Sequence, residues 1–393
     1  MVWKATAHVS QRCDAEEAAD ECLGALEAGR EGPLRGVIVY FTLHHDPDEL
    51  IEAFVQRLGP DVPLVGASVQ GVASHGFIGE QQFLCGVIGW FGDLTFATHC
   101  EEEVSRDTEA KGRRLGAFAN DLPGGPGALG VLLYDPLMDT NVRSLLQAMD
   151  AACPGLTVMG AGAGGPWGPM VETFQIHEGR VLRDAAVMAV IKGDFELFTG
   201  VSSGTHATGL AMRVTRAEGN TIQQLDDLPA LDLWREATGL PDTATHDDMS
   251  SWGLGVERGG EGSDEWAVLA PFNYDREARS ITLQVDVPVG TRVMLHQRNP
   301  DEIVDRARGM AEELASRIGS RRVGAVLSFE CGARTTPYLG LAGAQREHAM
   351  VEGAVAPNGA AWLGLLAWGE IAPVGSRTEC HNFTYPIAVL CHR

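Results

Sequence analysis

The sequence predicts an α/β (mixed α+β) protein: tandem repeated β-α-β-β-β units in an N-terminal domain and a related C-terminal α/β domain. Three observations carry this expectation. Short continuous apolar runs such as Gly36-Val37-Ile38-Val39-Tyr40-Phe41 fit strands buried on both faces. Segments with helix-start and helix-stop chemistry alternate with those runs. The pattern also returns without a gap: Gly130-Val131-Leu132-Leu133-Tyr134 repeats Gly36 to Tyr40, and Leu156 to Ala161 repeats Val62 to Ala67, both at an offset of 94 residues.

Taken in order, residues 2–9 read as a strand. Asp14 then opens a helix as a side-chain cap, with Glu16 and Glu17 in its first turn and Gly29 placed to end it. The apolar run 36–41 is the next strand, 46–58 a helix and Val62 to Ala67 a strand, followed by a glycine turn at Gly71. Two hairpin strands lead to Gly92-Asp93. The second copy has its glycine turn at Gly165 and ends at Gly193-Asp194, where a short insertion has widened the offset to 101.

A third, weaker echo runs from Val323 to Phe329, through a helix near 343–353, to Ala361-Trp362-Leu363-Gly364, with Trp368-Gly369-Glu370 in its glycine turn. Between the copies, 208–217 reads as a strand, Pro229 to Gly239 as a short helix, and Asp242 to Gly262 as a polar, mobile loop. Asn299-Pro300 caps a long helix whose Ile303, Ala307, Met310, Leu314 and Ile318 share one face, destined for the third unit's sheet. We expect two domains, 1–215 and 216–393, with two units side by side in the first and the third unit in the second.

Composition excludes several functions. The chain has 393 residues, 45% hydrophobic and 21% charged, as expected of a globular fold. Its formal charge of -23 repels phosphate backbones and anionic lipid, so nucleic acid is not an expected partner. No run reaches the ~18 apolar residues of a membrane span, and the first residues lack the apolar core of a signal peptide, so neither membrane insertion nor export is expected and the cytoplasm is the expected location. The eight cysteines include no Cys-x-x-Cys pair. Cys380-His381 and Cys391-His392 place adjacent side chains on opposite strand faces, which argues against a shared metal.

The chemistry-bearing residues gather late in the chain. Gly160 to Gly165 follows a strand but runs into Pro166-Trp167-Gly168-Pro169 rather than a helix, which disfavours a nucleotide cradle. Cys331 ends an apolar run near Arg334, whose charge favours the thiolate; a buried structural cysteine is the other reading. His381 reads as a base beside Glu370, as an axial haem ligand, or as a histidine bonded within its turn. Arg334 either bridges to Glu370 or stays free for an acidic ligand group.

Three motifs in the C-terminal part carry a family resemblance: Leu327-Ser328-Phe329-Glu330-Cys331-Gly332-Ala333-Arg334, Trp368-Gly369-Glu370-Ile371-Ala372-Pro373 and His381-Asn382-Phe383-Thr384. Together they resemble the FIST C domain. Phe198 to Gly204, Met212 to Asn220 and Pro229 to Asp232 resemble the junction from FIST N to FIST C. The resemblance runs from about residue 34 to the end.

It implies a ligand-sensing module of bacterial-type signal transduction, not an enzyme, with an amino acid or related small molecule as ligand. Its expected output is a separate protein such as a histidine kinase or diguanylate cyclase. A haem-binding nitric oxide sensor is the alternative, and a cysteine-dependent enzyme using Cys331 the second. Two departures stand out. Gly66-Ala67-Ser68-Val69-Gln70-Gly71 lacks the family's Cys and Glu, and Phe383 replaces a Gln. We expect ligand-binding residues at Cys331, Arg334, Trp368, Glu370, His381 and Asn382. Glu370, Arg334 and Asn382 would meet the two ends of a zwitterion, and Trp368 would form an apolar wall.

Overall fold

Side-chain caps start five of the seven helices among the described residues. Asp14, Asp46, Asp107, Asn141 and Asn299 each accept a backbone N–H of the first turn, satisfying donors that the helix itself leaves free. The structure, a computed structural model, describes residues 3–125, 127–138, 140–168, 172–244, 248, 250–258, 265–375 and 377–393.

The first stretch runs β1 (Lys4–Ser10), α1 (Ala15–Ala28), β2 (Leu34–Thr42), α2 (Pro47–Leu58), β3 (Leu64–Val69), β4 (Gly71–Ser74), β5 (Phe77–Glu80) and β6 (Cys85–Phe91). The second runs β7 (Leu94–Glu102), α3 (Thr108–Asp121), β8 (Gly127–Tyr134), α4 (Val142–Ala152), β9 (Thr157–Gly162), β10 (Gln175–His177), β11 (Arg180–Leu182) and β12 (Ala185–Gly193).

After β13 (Phe195–Ser203) comes an insert. It comprises β14 (Thr205–Glu218), β15 (Thr221–Leu225), β16 (Leu228–Pro229), α5 (Ala230–Thr238), β17 (Trp252–Glu257), β18 (Trp266–Leu269), β19 (Asn273–Asp275), β20 (Ser280–Thr282) and β21 (Arg292–Arg298). The chain then resumes with α6 (Pro300–Ile318), β22 (Val323–Cys331), α7 (Gly340–Val355), β23 (Ala361–Ala367), β24 (Glu370–Val374), β25 (Arg377–His381) and β26 (Thr384–His392).

Three six-stranded sheets share one strand order: β1-β6-β2-β3-β10-β11, β7-β12-β8-β9-β24-β25 and β13-β26-β22-β23-β4-β5. Each holds one parallel pair joined by a crossover helix, β2/β3, β8/β9 or β22/β23, and is otherwise antiparallel. The hairpin that completes each sheet comes from elsewhere in the chain. β4 pairs with β23, β24 with β9, and β10 with β3, so the three hairpins are handed around a closed ring. Strands from residues 1–215 and 216–393 therefore lie in common sheets, and the third unit's sheet is not a body apart from the first two.

The inner faces of all three sheets meet in one core, where Ile38 and Tyr40, Val131 and Leu133, and Leu327 and Phe329 are buried together. Helices cover the outer faces. Leu50 and Phe54 of α2 lie over Val39 and Phe41, and Ala307, Met310, Leu314 and Ile318 of α6 lie over Val326 and Ile387. Burial on both faces is why these strands read as unbroken apolar runs.

The insert forms a further sheet, ordered β18-β17-β21-β14-β15-β20-β19, with β16 on β15. The stretch expected as one polar loop, 242–262, contains β17, because Leu254 and Val256 alternate inward; residues 245–247, 249 and 259–262 of it lie outside the described residues. No helix among the described residues is long and apolar enough to cross a membrane.

Candidate functional site

β22 and β23 run parallel and stop together, at Cys331 and Ala367, and Gly332 N–H still reaches the Ala367 carbonyl at 2.9 Å. Beyond these ends the chains turn apart. A cavity of about 390 Å³ opens there, at the carboxyl ends of parallel strands where α/β folds commonly hold ligands. Cys331, Ala333, Ala367 and Trp368 form its floor, and Asn382 and Phe383 enter from the turn before β26. The insert closes it with Ala270-Pro271-Phe272 and Gln284, and Trp167-Gly168 borders it from the stretch after β9.

Trp368 is fixed by the first stretch of chain. Its indole Nε1 donates to Gln70 Oε1 at 3.1 Å, and Gln70 Nε2 donates to the Gly332 carbonyl at 3.0 Å and to Glu80 at 2.8 Å. The hairpin handed from β3 into the third sheet is what carries Gln70 here. Gly369 must be glycine: its φ is +95°, and a Cβ there would lie 2.8 Å from Tyr134 Oη.

Asn382 clamps the insert to the sheet. Its backbone N–H donates to Val268 O at 2.7 Å, its Oδ1 accepts from Ala270 N at 2.9 Å, and its Nδ2 donates to Gln284 Oε1 at 2.7 Å. Phe383 holds a left-handed φ of +63°, a conformation that costs a non-glycine residue about 1–3 kcal/mol. Its surroundings keep it there: its carbonyl accepts from Gly204 N at 2.9 Å and Arg334 Nη1 at 3.1 Å, and its ring lies 4.2 Å from the Arg298 guanidinium.

Three residues expected at the ligand do not line the cavity. Arg334 is neither free nor paired with Glu370. It is fully buried, bonded through Nη2 to Glu347 of α7, and its Nε lies 3.6 Å from Glu330. The helix after β22 turns Glu347 inward, so a carboxylate of its own region takes the guanidinium. Burial, reinforced by Glu347, pushes Glu330 well above the usual carboxylate range.

Glu370 is fully buried behind the cavity floor, with Oε2 accepting from Thr384 N at 3.2 Å and Thr384 Oγ1 at 3.1 Å. Cys331 adds a weak hydrogen bond to the carboxyl, and Oε1 otherwise has no partner among the described residues. Burial raises its pKa to about 8, so it is mainly a neutral acid at neutral pH. His381 bonds the Ala372 carbonyl at 3.2 Å, and burial lowers its pKa to about 4. It faces away because its neighbour Asn382 takes the cavity side.

Of the six expected residues, the fold brings Cys331, Trp368 and Asn382 together at the cavity. Burial, with a contribution from Glu370, pushes the Cys331 thiol far above its ordinary range; the backbone N–H groups of Phe383 and Ala333 and the Arg298 charge favour the thiolate but do not offset burial, and Arg334 is committed to Glu347. Among the described residues no histidine lines the cavity, and its cysteine is a neutral thiol, so these residues do not fit an axial haem ligand.

Gln70, Phe272 and Gln284 were not anticipated. For Gln284 a signal exists in the alternation Ile281-Thr282-Leu283-Gln284-Val285-Asp286-Val287, whose apolar members are buried and whose polar members share the opposite face.

The FIST N domain model matches residues 36–228 and the FIST C domain model residues 230–373. An uncharacterized protein of Mycobacterium bovis is 25% identical over 391 residues, covering 96% of each chain, and one of Mycobacterium tuberculosis gives the same figures. An uncharacterized protein of Methanocaldococcus jannaschii is 27% identical over 221 residues, 52% of this chain and 42% of its own. A solved structure of PurLQS from Thermotoga maritima aligns with 100% of this chain and 72% of its own at 10% identity and a TM-score of 0.24, a likeness that carries no functional argument. FIST domains are associated with small-ligand sensing in signalling. With the two models matching in succession over most of its length, the chain belongs to the FIST family, a FIST N domain followed by a FIST C domain.

Proposed function

We propose that this chain is a cytoplasmic small-ligand sensor that binds rather than transforms its ligand and passes the signal to a separate output protein such as a histidine kinase or cyclase. The cavity at the ends of β22 and β23 carries this reading: aromatic walls from Trp368, Phe383 and Phe272 surround two amides, Asn382 and Gln284, in a volume suited to a small molecule.

The composition of the lining also bears on the ligand. None of its described residues is charged. An amino acid would leave its ammonium and carboxylate without a countercharge, at a cost that a partly enclosed apolar site does not offset. An uncharged, ring-bearing molecule fits better, and its docking against Asn382 and Gln284 acts on the clamp that holds the insert to the sheet.

A thermal-shift screen of uncharged aromatic compounds beside amino acids tests this. A ligand at 100 times its Kd stabilises the native state by about 2.7 kcal/mol. Filling the cavity by Ala333→Leu is expected to abolish that gain while leaving the ligand-free melting temperature within a degree or two. An amino acid that stabilises the protein while the aromatic compounds do not overturns the ligand class. A fast, pH-sensitive alkylation of Cys331 argues for a catalytic thiol instead.

A further inference from the structure

We propose that the binding site continues past Phe272 into a second cavity, and that the ligand is a two-part neutral molecule: a flat ring in the first cavity joined to a polyhydroxylated, sugar-type tail in the second. This rests on the reading of the first cavity given above.

The second cavity measures about 540 Å³ and shares Phe272 and Gln284 with the first as common walls. The alternating stretch 281–287 explains the continuity. Its buried members Ile281, Leu283, Val285 and Val287 anchor it to the insert core, and Thr282, Gln284 and Asp286 all line the second cavity. A row of polar side chains thus leads out of the aromatic cavity.

The hydrogen-bonding capacity left in that row defines the tail. Asn220, Asn273 and Gln284 each have the amide oxygen already occupied, by Thr221 Oγ1 at 3.4 Å, Tyr274 N at 2.8 Å and Asn382 Nδ2 at 2.7 Å respectively. Their amide nitrogens donate to no described residue, so three NH₂ groups remain to donate. Thr140 Oγ1 is buried with no partner among the described residues, an arrangement that costs stability until something fills it. Asp286 supplies the acceptor and is itself steadied by Asn141 Nδ2 at 2.6 Å.

Charge then separates the candidate tails. A phosphate or carboxylate meets no Lys or Arg among the described lining residues and does meet Asp286, in a chain of formal charge -23. A cation is drawn by Asp286, but one oxygen of that carboxylate already accepts from Asn141 and each of the three amide oxygens already holds a donor, which leaves too few oxygens to replace its hydration shell. Hydroxyl groups, which both donate and accept, match NH₂ donors set beside one carboxylate, and Phe272 offers an apolar face at the junction.

Titration calorimetry at neutral pH with 2-naphthol, 2-naphthyl β-D-glucopyranoside, 2-naphthyl phosphate and glucose tests the proposal. The glucoside is expected to bind at least about tenfold tighter than 2-naphthol, and the phosphate more weakly than the glucoside. Thr140→Val, which keeps the shape and removes the hydroxyl, and Asn273→Ala are each expected to shrink the glucoside's advantage several-fold and leave 2-naphthol unchanged. If 2-naphthol binds and the glucoside gains nothing, the second cavity is not a subsite and the first-cavity reading stands. If the phosphate binds as tightly as the glucoside, the neutral tail is wrong. If none of the naphthyl compounds binds, both readings fall.

Discussion

Trp368 donates its indole N–H to the side-chain oxygen of Gln70 at 3.1 Å, although 298 positions separate the two residues. One wall of the candidate cavity is thereby positioned by a residue of the FIST N region, and Gln70 also holds Gly332 beneath it. Gln70→Leu removes the bonds to Trp368, Gly332 and Glu80 and leaves the Trp368 N–H buried without its acceptor, while the Gly332 carbonyl keeps the bond from Thr335 Oγ1 at 2.9 Å. A loss of about 1–3 kcal/mol in urea unfolding is expected, with a change in tryptophan fluorescence; an unchanged midpoint and spectrum would show that the contact does not position the indole.

Glu370 gives the protein a pH dependence of definite sign. Its folded pKa of about 8 lies above the ordinary value of 4.5, so the folded state holds a proton that the unfolded chain has released. The resulting stability is fully present below about 4.5 and is lost as pH rises through about 8, at up to about 1.4 kcal/mol per pH unit. Glu370→Gln keeps an acceptor for Thr384 and cannot ionise. Unfolding free energies at several pH values from 5 to 9 should fall more steeply for the wild type than for this variant, and identical slopes would sink the argument. Since Glu370 lies behind the floor, ligand binding is expected to survive the substitution.

Arg334 is a buttress rather than a ligand contact. Arg334→Met leaves Glu347 buried without its countercharge and Phe383 without one of the two donors on its carbonyl. Breaking a buried pair from one side costs about 3–5 kcal/mol. Denaturation of Arg334→Met should show a loss of that order, and a loss below about 1 kcal/mol would mean the pair is not formed in solution.

Much of the fold could be read from the sequence, because its signals are local. Asp14, Asp46 and Asn299 mark helix starts, the five-residue face from Ile303 to Ile318 is buried as its spacing implies, and runs such as 36–41 state burial on both faces. The same uniform apolarity conceals pairing. A strand buried on both sides says nothing about which strand lies beside it, so the pairing of β4 with β23 left no trace that a sequence reading could find. At the site, Trp368 and Asn382 could be singled out from motif and residue type. The partner of Arg334 could not, because choosing Glu347 over Glu370 depends on the rotational phase of α7 against β22. Gln284 was legible only through an alternation inside a stretch too irregular to count fully as a strand.

The ring of exchanged hairpins bears on how the protein is made. On the ribosome β4 and β5 emerge early, yet their partner β23 is synthesised almost last, so an apolar hairpin edge waits unpaired through most of translation. A chain ending at residue 228, the limit of the FIST N match, has the strands of the first sheet but lacks β24 and β25 of the second and all of the third except β13, β4 and β5. Limited proteolysis of such a fragment is expected to cut within Gly71–Ser74 or Phe77–Glu80, strands that are paired in the full chain; resistance there would show that the hairpin finds another partner. The two regions are thus joined less like beads on a string than like links that close only when the last is forged.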